Sequence, residues 1–283
     1  MIVFLYILAI ILAWVIGSVG FSFVNTVAYR FPRQKKLLKE HFCCDFCETQ
    51  IKAYESVPVF SYLFLKGRCR YCGEPLSKRD FANEIAGGIV GLLIFFRFGD
   101  VCDMSSSFVL SSPIDIVVHF NVWKLITLLI LLLLFCVMDL VILVDYDTME
   151  IPNRFVIVML YIAVAAMVFV PGVSLVSHII GAVFISVPMF LITLAIPGAF
   201  GGGDIKLVAA VGLFLGWKLT LIGFLIGLLF GGIYGIIQLI TKKKGKKEHF
   251  PFGPSLCAGF MFAVICGMDI INAYIKLAAF IHG

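Results

Sequence analysis

The amino-acid sequence predicts an all-α polytopic membrane protein of about eight transmembrane helices that carries a small cytoplasmic domain of zinc-ribbon type. Three observations predict it. The 283 residues are 61% hydrophobic and only 14% charged, with a mean hydropathy of +1.08, whereas a soluble domain is about half apolar. The apolar residues gather into eight runs, near 2–27, 83–98, 122–144, 155–171, 174–196, 205–217, 219–240 and 254–281. A polar insert between the first two runs holds two Cys-x-x-Cys pairs.

Runs of about 20 apolar residues suit an α-helix crossing roughly 30 Å of hydrocarbon, because lipid offers no partner to backbone N–H and C=O groups. The first run has no basic n-region and exceeds the usual length of a secretory h-region, so it is expected to be an uncleaved span. The second and sixth runs are short and interrupted by glycine.

Charge sets the orientation. Of the 22 Lys and Arg residues, 11 lie between Arg30 and Arg79, and five more make the "KKKGKK" stretch from Lys242 to Lys247. With eight spans, both clusters fall on one side. The segment 99–121, with Asp100, Asp103 and Asp115 and neither Lys nor Arg, falls on the other. Basic loops are retained in the cytoplasm, which places both termini outside and the loops "VDYDTMEIPN" and "GAFGGGDIKL" inside. The net charge of +5 reads as topology and attraction to anionic lipid. No nucleic-acid partner is expected.

The polar insert supplies Cys44 and Cys47, then Cys69 and Cys72, in the pattern C-x2-C-x21-C-x2-C. Two such knuckles can present four thiolates tetrahedrally to one Zn2+, and a domain of about 50 residues often needs a staple of this kind. The middle spacing slightly exceeds the usual ribbon range. Two disulfides or free thiols are the competing reading, which a reducing compartment disfavours. Cys43 adjoins Cys44 and is an alternative ligand. Cys136, Cys257 and Cys266 lie in apolar runs and read as small core residues.

An ionisable group at membrane depth costs several kcal/mol, roughly 3 on insertion scales, unless it faces water or a partner. Asp204 follows Gly201, Gly202 and Gly203 directly. Glycine lets a backbone or a substrate approach closely, and small-residue helix packing is the competing reading. The stretch "LVDYDTMEIPN" closes the third run with Asp145, Asp147 and Glu150, and Pro152 begins the next element. Asp145 and Asp204 are therefore expected at one depth, at the cytoplasmic rim. Two carboxylates within hydrogen-bond reach share a proton, so that one acts as base and its partner as acid. Such a pair can activate water against a peptide carbonyl without Ser, Cys or metal. Asp147 and Glu150 are expected as rim solvation or substrate contacts, Asp139 and Asp269 as buried helix contacts, and Lys206 as a residue that snorkels to the interface, with lowering of the local carboxylate pKa as the competing reading. The "KKKGKK" loop with "PFGP" is expected to anchor the last two spans.

The residues also carry a family resemblance. "FGGGDIKL" resembles the GxGD signature of the type IV prepilin peptidase family, with Gly201, Gly203 and Asp204 at its fixed positions, and "DYDTMEIPN" is similar to that family's first catalytic segment, Asp145 preceding Pro152 by seven residues. "VNTVAYRFP" (Val24–Pro32), "VPVFSYLFLKGRCRYCGEPLSKRDFANE" (Val57–Glu84) and "FPFGPSLCAG" (Phe250–Gly259) resemble three further family segments in the same order. The resemblance implies an eight-span aspartic endopeptidase of the bacterial inner membrane, facing the cytoplasm. Such enzymes cut type IV prepilins or pseudopilins, of pili or type II secretion, after the glycine that ends a basic leader. It implies Asp145 and Asp204 as the catalytic pair, with Gly201, Gly202, Gly203 and Asp147 beside the substrate. Gly201–Gly203 would form a bare, flexible turn along which an extended substrate backbone passes.

Many members also N-methylate the new N-terminus with S-adenosylmethionine, an activity tied to the first cytoplasmic region. The implied division is a first span at 1–28, a four-cysteine domain at 29–82 linked to methyl transfer, and a peptidase core at 83–283. Two departures, Phe21 in place of the usual glycine and Asp80-Phe81 in place of Tyr-Pro, fall in the region tied to methylation. A presenilin-like intramembrane protease and a peptidase without methyltransferase activity stand as alternatives. A transporter would leave the Cys pairs unexplained, and a membrane-tethered zinc platform would need neither aspartate.

Overall fold

The structure, a computed structural model, describes residues 2–33, 47, 49, 57–99, 102–103, 119–120, 122–170, 172–241 and 251–282. Its helices are α1 (Ile2–Arg30), α2 (Phe60–Phe64), α3 (Lys78–Phe98), α4 (Val122–Thr148), α5 (Asn153–Phe169), α6 (Leu175–Phe184), α7 (Ser186–Ala195), α8 (Gly202–Leu215), α9 (Trp217–Ile240) and α10 (Gly253–His282). Two residues, β1 (Cys102–Asp103), pair antiparallel with β2 (His119–Phe120). Each apolar run is helical over most of its described residues. Among the described residues six stretches, α1, α3, α4, α6 with α7, α9 and α10, are long and apolar enough to cross a membrane. The other two runs form the shorter helices α5, of 17 residues, and α8, of 14. The run 174–196 is divided at Ile185. Pro188 explains the break, because it has no N–H to give and its ring crowds the carbonyl four residues back, at Phe184.

The chain forms two compact units, Met1–Ser22 with Cys44–Leu133, and Phe23–Cys43 with Leu134–Gly283. In the first, α1 and α3 meet backbone to backbone. A methyl group added at Gly17 would strike the Gly87 carbonyl, and one at Gly91 the Ala13 carbonyl. Lipid tails are as apolar as leucine, so membrane helices associate through such close packing and through hydrogen bonds rather than through exclusion from water. The hydrogen bonds are present too. Glu84 accepts the Ser22 hydroxyl at 2.8 Å and the Val59 N–H at 2.7 Å. Ser77 caps α3 by accepting the Asp80 N–H at 3.2 Å, which satisfies one of the donors a helix start leaves open.

The second unit is organised around α8, which packs against α5, α6, α7, α9 and α10. Its Leu207, Val208, Ala210 and Val211 are fully buried. Helices α6 and α8 cross where Gly181 faces the Gly212 carbonyl, and His178 Nδ1 lies 2.7 Å from the Leu213 carbonyl oxygen just beyond. On α9, Gly223, Gly227 and Gly231 recur every fourth residue and so share one face. Phe260, Leu256 and Phe252, from α10 and the chain leading into it, lie on that stripe. The seat fixes where α10 begins, and α10 begins at the site.

Candidate active site

Asp145 stands in the last turn of α4. The helix stops just beyond it, at Met149, whose φ of 56° is the left-handed conformation of a helix end. The Met149 N–H still reaches the Asp145 carbonyl at 2.8 Å, and the Thr148 hydroxyl reaches the Val144 carbonyl at 2.8 Å. Pro152, with φ −62° and ψ 133°, then caps α5. This tight reversal leaves Asp147 and Glu150 exposed and Asp145 only 5% exposed. The buried carboxylate is not bare. Its Oδ2 accepts the N–H of Gly253, the first residue of α10, at 3.0 Å.

Asp204 lies in the first turn of α8, where the helix dipole favours a negative charge. It accepts a backbone hydrogen bond from Gly201, the N-cap residue, as the third-position acid of a capping box does. The glycines do not form the expected flexible turn. Gly202 and Gly203 are already helical, and Gly201 has an ordinary extended conformation, φ −68° and ψ 140°. Their reason is space. A Cβ at Gly201 would lie 2.9 Å from Asp204 Oδ2 and one at Gly203 would lie 3.0 Å from Ile151 Cβ, while one at Gly202 would meet nothing.

Ile151 links the two carboxylate segments, because its Cδ1 also lies 3.2 Å from the place a Cβ would take on Gly253. The charge of Asp145 acts on Asp204, and Asp145, Asp204 and Asp139 all act on the fully buried Cys257 of α10. Residues 59 positions apart in the chain thus face one locus where α4, α8 and α10 meet. Two carboxylates at one locus are the groups that general acid–base chemistry on a peptide bond draws on.

Several expectations are revised around this locus. Lys206 is exposed, as a snorkelling residue would be, and its Nζ in addition donates to Asn153 Oδ1 at 3.0 Å and so ties α8 to the start of α5. Asp139 is buried as expected, whereas Asp269 is exposed. Sequence reasoning missed the "PFGP" segment as part of the site. Besides the Gly253 contact, the Phe252 ring lies 6.3 Å from that of Phe200, which leads into the glycines of α8. The available signal was its position, a helix start, where backbone N–H groups have no partner within the helix.

The cysteines form a separate cluster in the first unit. The Sγ atoms of Cys47, Cys69 and Cys72 lie within 4.8 Å of one another. Tetrahedral zinc with Zn–S bonds of about 2.3 Å sets its sulfurs about 3.8 Å apart, so the three thiols fit that ion. Cys69 and Cys72 sit on a knuckle in which the Cys69 N–H reaches the Glu74 carbonyl at 2.8 Å and the Gly73 N–H reaches the Cys69 carbonyl at 3.0 Å. Gly73, at φ 77°, supplies the left-handed turn. Cys44, the fourth expected ligand, and its alternative Cys43 lie outside the described residues.

Two family models and several curated proteins match the chain. The bacterial peptidase A24 N-terminal domain matches residues 15–98, and the type IV leader peptidase family matches residues 126–236. A prepilin leader peptidase/N-methyltransferase of Bacillus subtilis is 29% identical over 265 residues, spanning 94% of this chain and 97% of the relative. Proteins of the same name from Legionella pneumophila and Vibrio cholerae are 27% and 29% identical, spanning 96% and 89% of this chain and 95% and 94% of their own. No solved structure matches the chain.

Proposed function

The chain belongs to the type IV leader peptidase family, and on that premise we propose that it removes the basic leader of type IV prepilins or pseudopilins and then N-methylates the new N-terminus. The observation that carries the reading is that Asp145 and Asp204, each held by a glycine N–H, stand at the locus where α4, α8 and α10 converge. One carboxylate takes a proton from water as its oxygen bonds to the carbonyl carbon of the leader's terminal glycine. The other gives its proton to the carbonyl oxygen. When the tetrahedral adduct collapses, the C–N bond breaks and the departing nitrogen leaves protonated. Gly201, Gly202, Gly203 and Asp147 line the substrate's path, with Gly202 offering open space beside Asp204.

The prepilin's own apolar helix begins just past the scissile bond, so a site at a helix rim suits it. The basic segments flanking the spans support a site facing the cytoplasm from the inner membrane. Residues 29–82 form the methylation-linked domain, in which Cys44, Cys47, Cys69 and Cys72 would hold a structural Zn2+, and residues 83–283 form the peptidase core. The methyl group would come from S-adenosylmethionine. The test is mass spectrometry of a synthetic prepilin incubated with the purified enzyme in liposomes. Loss of the leader after glycine is expected, followed by a gain of about 14 Da, one methylene, when S-adenosylmethionine is added. A prepilin left intact would refute the reading.

A further inference from the structure

We propose that Gly253, the first residue of α10, is a positioning residue of the peptidase: its N–H orients the Asp145 carboxylate, and its lack of a side chain is what allows that carboxylate to sit there. The inference rests on the reading of Asp145 and Asp204 as the catalytic pair. Three observations carry it. The Gly253 N–H donates to Asp145 Oδ2 at 3.0 Å across 108 residues of sequence, in a buried setting. A Cβ on Gly253 would lie 2.6 Å from that same oxygen and 3.2 Å from the carboxylate carbon, well inside normal carbon–carbon separations of about 3.5–4.0 Å. The residue is also held from behind, because Phe252 lies against Gly231 of α9, where an added Cβ would come 2.9 Å from Phe252 Cε2.

The arrangement has a counterpart at the other carboxylate. Gly201 gives Asp204 a backbone hydrogen bond, and a Cβ there would again meet the carboxylate, at 2.9 Å. Each acid of the pair is thus aimed by a glycine at a helix start, where an N–H is free to give and the dipole suits an anion. Gly253 does not need unusual dihedrals; it needs to be small. Among the described residues, the titratable groups that interact with Asp145 are Asp204 from α8 and Cys257 from α10, beside which Asp139 of α4 also acts on Cys257. The hydrogen bond that holds the Asp145 carboxylate among those residues comes from the backbone of Gly253.

A Gly253→Ala variant keeps the N–H and adds only the offending carbon. Displacing a reacting group by about 1 Å lowers rates on the order of 100-fold, so kcat for prepilin cleavage is expected to fall about that much with KM within about twofold of wild type. Methylation of a leaderless pilin by the same preparation should stay at the wild-type rate, which a general loss of fold would not allow. Should the variant fail to accumulate, Gly253→Ala combined with Ile151→Ala removes the other atom the new carbon would meet and carries the same reading against Ile151→Ala alone. Cleavage within about threefold of the matched parent, or a rise in KM at unchanged kcat, overturns the proposal. Asp145→Asn is run alongside. If it cleaves normally, the catalytic pair itself is wrong; if it is inactive while Gly253→Ala is normal, only the role of Gly253 falls.

Discussion

The glycines before Asp204 make opposite predictions at adjacent positions. In Gly203→Ala the new Cβ lies 3.0 Å from Ile151 Cβ, so α8 and the Asp145 segment must part by about 0.5 Å to reach an ordinary separation. Ile151 sits six residues after Asp145, beyond a reversal too tight to absorb much of that shift. Half of a displacement worth about 100-fold is worth about 10-fold in rate, with about 1–3 kcal/mol of strain in stability. In Gly202→Ala the Cβ meets nothing. Alanine suits a helix better than glycine by about 0.5–1 kcal/mol, so stability should hold or rise and kcat should stay at the wild-type level. If the substrate backbone passes over Gly202, KM alone rises. The assay is initial-rate cleavage of a prepilin peptide in liposomes with melting curves on the same samples. A Gly203→Ala enzyme at full rate beside a crippled kcat in Gly202→Ala would refute the packing argument.

Lys206→Ala and Asn153→Ala each remove one end of an exposed hydrogen bond and should slow cleavage roughly 2–5-fold, from about 0.5–1 kcal/mol. The double variant should be no slower than the worse single one, as a mutant cycle on cleavage rates would show. The purified protein should contain zinc by elemental analysis, and Cys69→Ser should lose both metal and methyl transfer while prepilin cleavage persists; a zinc-free enzyme that methylates fully would contradict the four-cysteine zinc assignment. Gly87→Val forces a side chain against Phe21 Cβ, 2.5 Å from the first added carbon, and should cost about 1–3 kcal/mol. Gly235→Val, where a Cβ meets nothing, is its control in thermal melts of detergent-solubilised protein.

What was legible in the sequence followed from how local each signal is. The helices were legible because crossing lipid constrains composition directly, so each apolar run announced its helix. The division at Ile185 had its cause in the sequence at Pro188, but a hydropathy run does not reveal whether a proline bends a helix or divides it. The cysteine knuckle was legible because Cys69 and Cys72 share one turn. Asp145 and Asp204 could be paired by depth and by motif. Their surroundings could not, because they are made by distant partners. The Gly253 N–H lies 108 residues from Asp145 and the Lys206 ammonium 53 from Asn153, and nothing local tells a carboxylate which backbone will meet it. The glycines misled in an instructive way. Glycine permits both odd dihedrals and close approach, and the flexible turn chose the first where the helix start of α8 needs the second.

Whether Asp145 and Asp204 work as a catalytic pair can be read from cleavage of a synthetic prepilin by purified Asp145→Asn, Asp204→Asn and Asp147→Asn, followed by mass spectrometry. Each asparagine is nearly isosteric and still folds into the same turn, but it can neither take nor supply the shared proton. The first two are expected to leave the leader attached while still methylating a leaderless pilin, whereas Asp147→Asn, at an exposed rim position beside the substrate's path, is expected to cleave after glycine with its change in KM rather than kcat. Leader removal by either Asp145→Asn or Asp204→Asn at a rate near wild type would contradict that pairing.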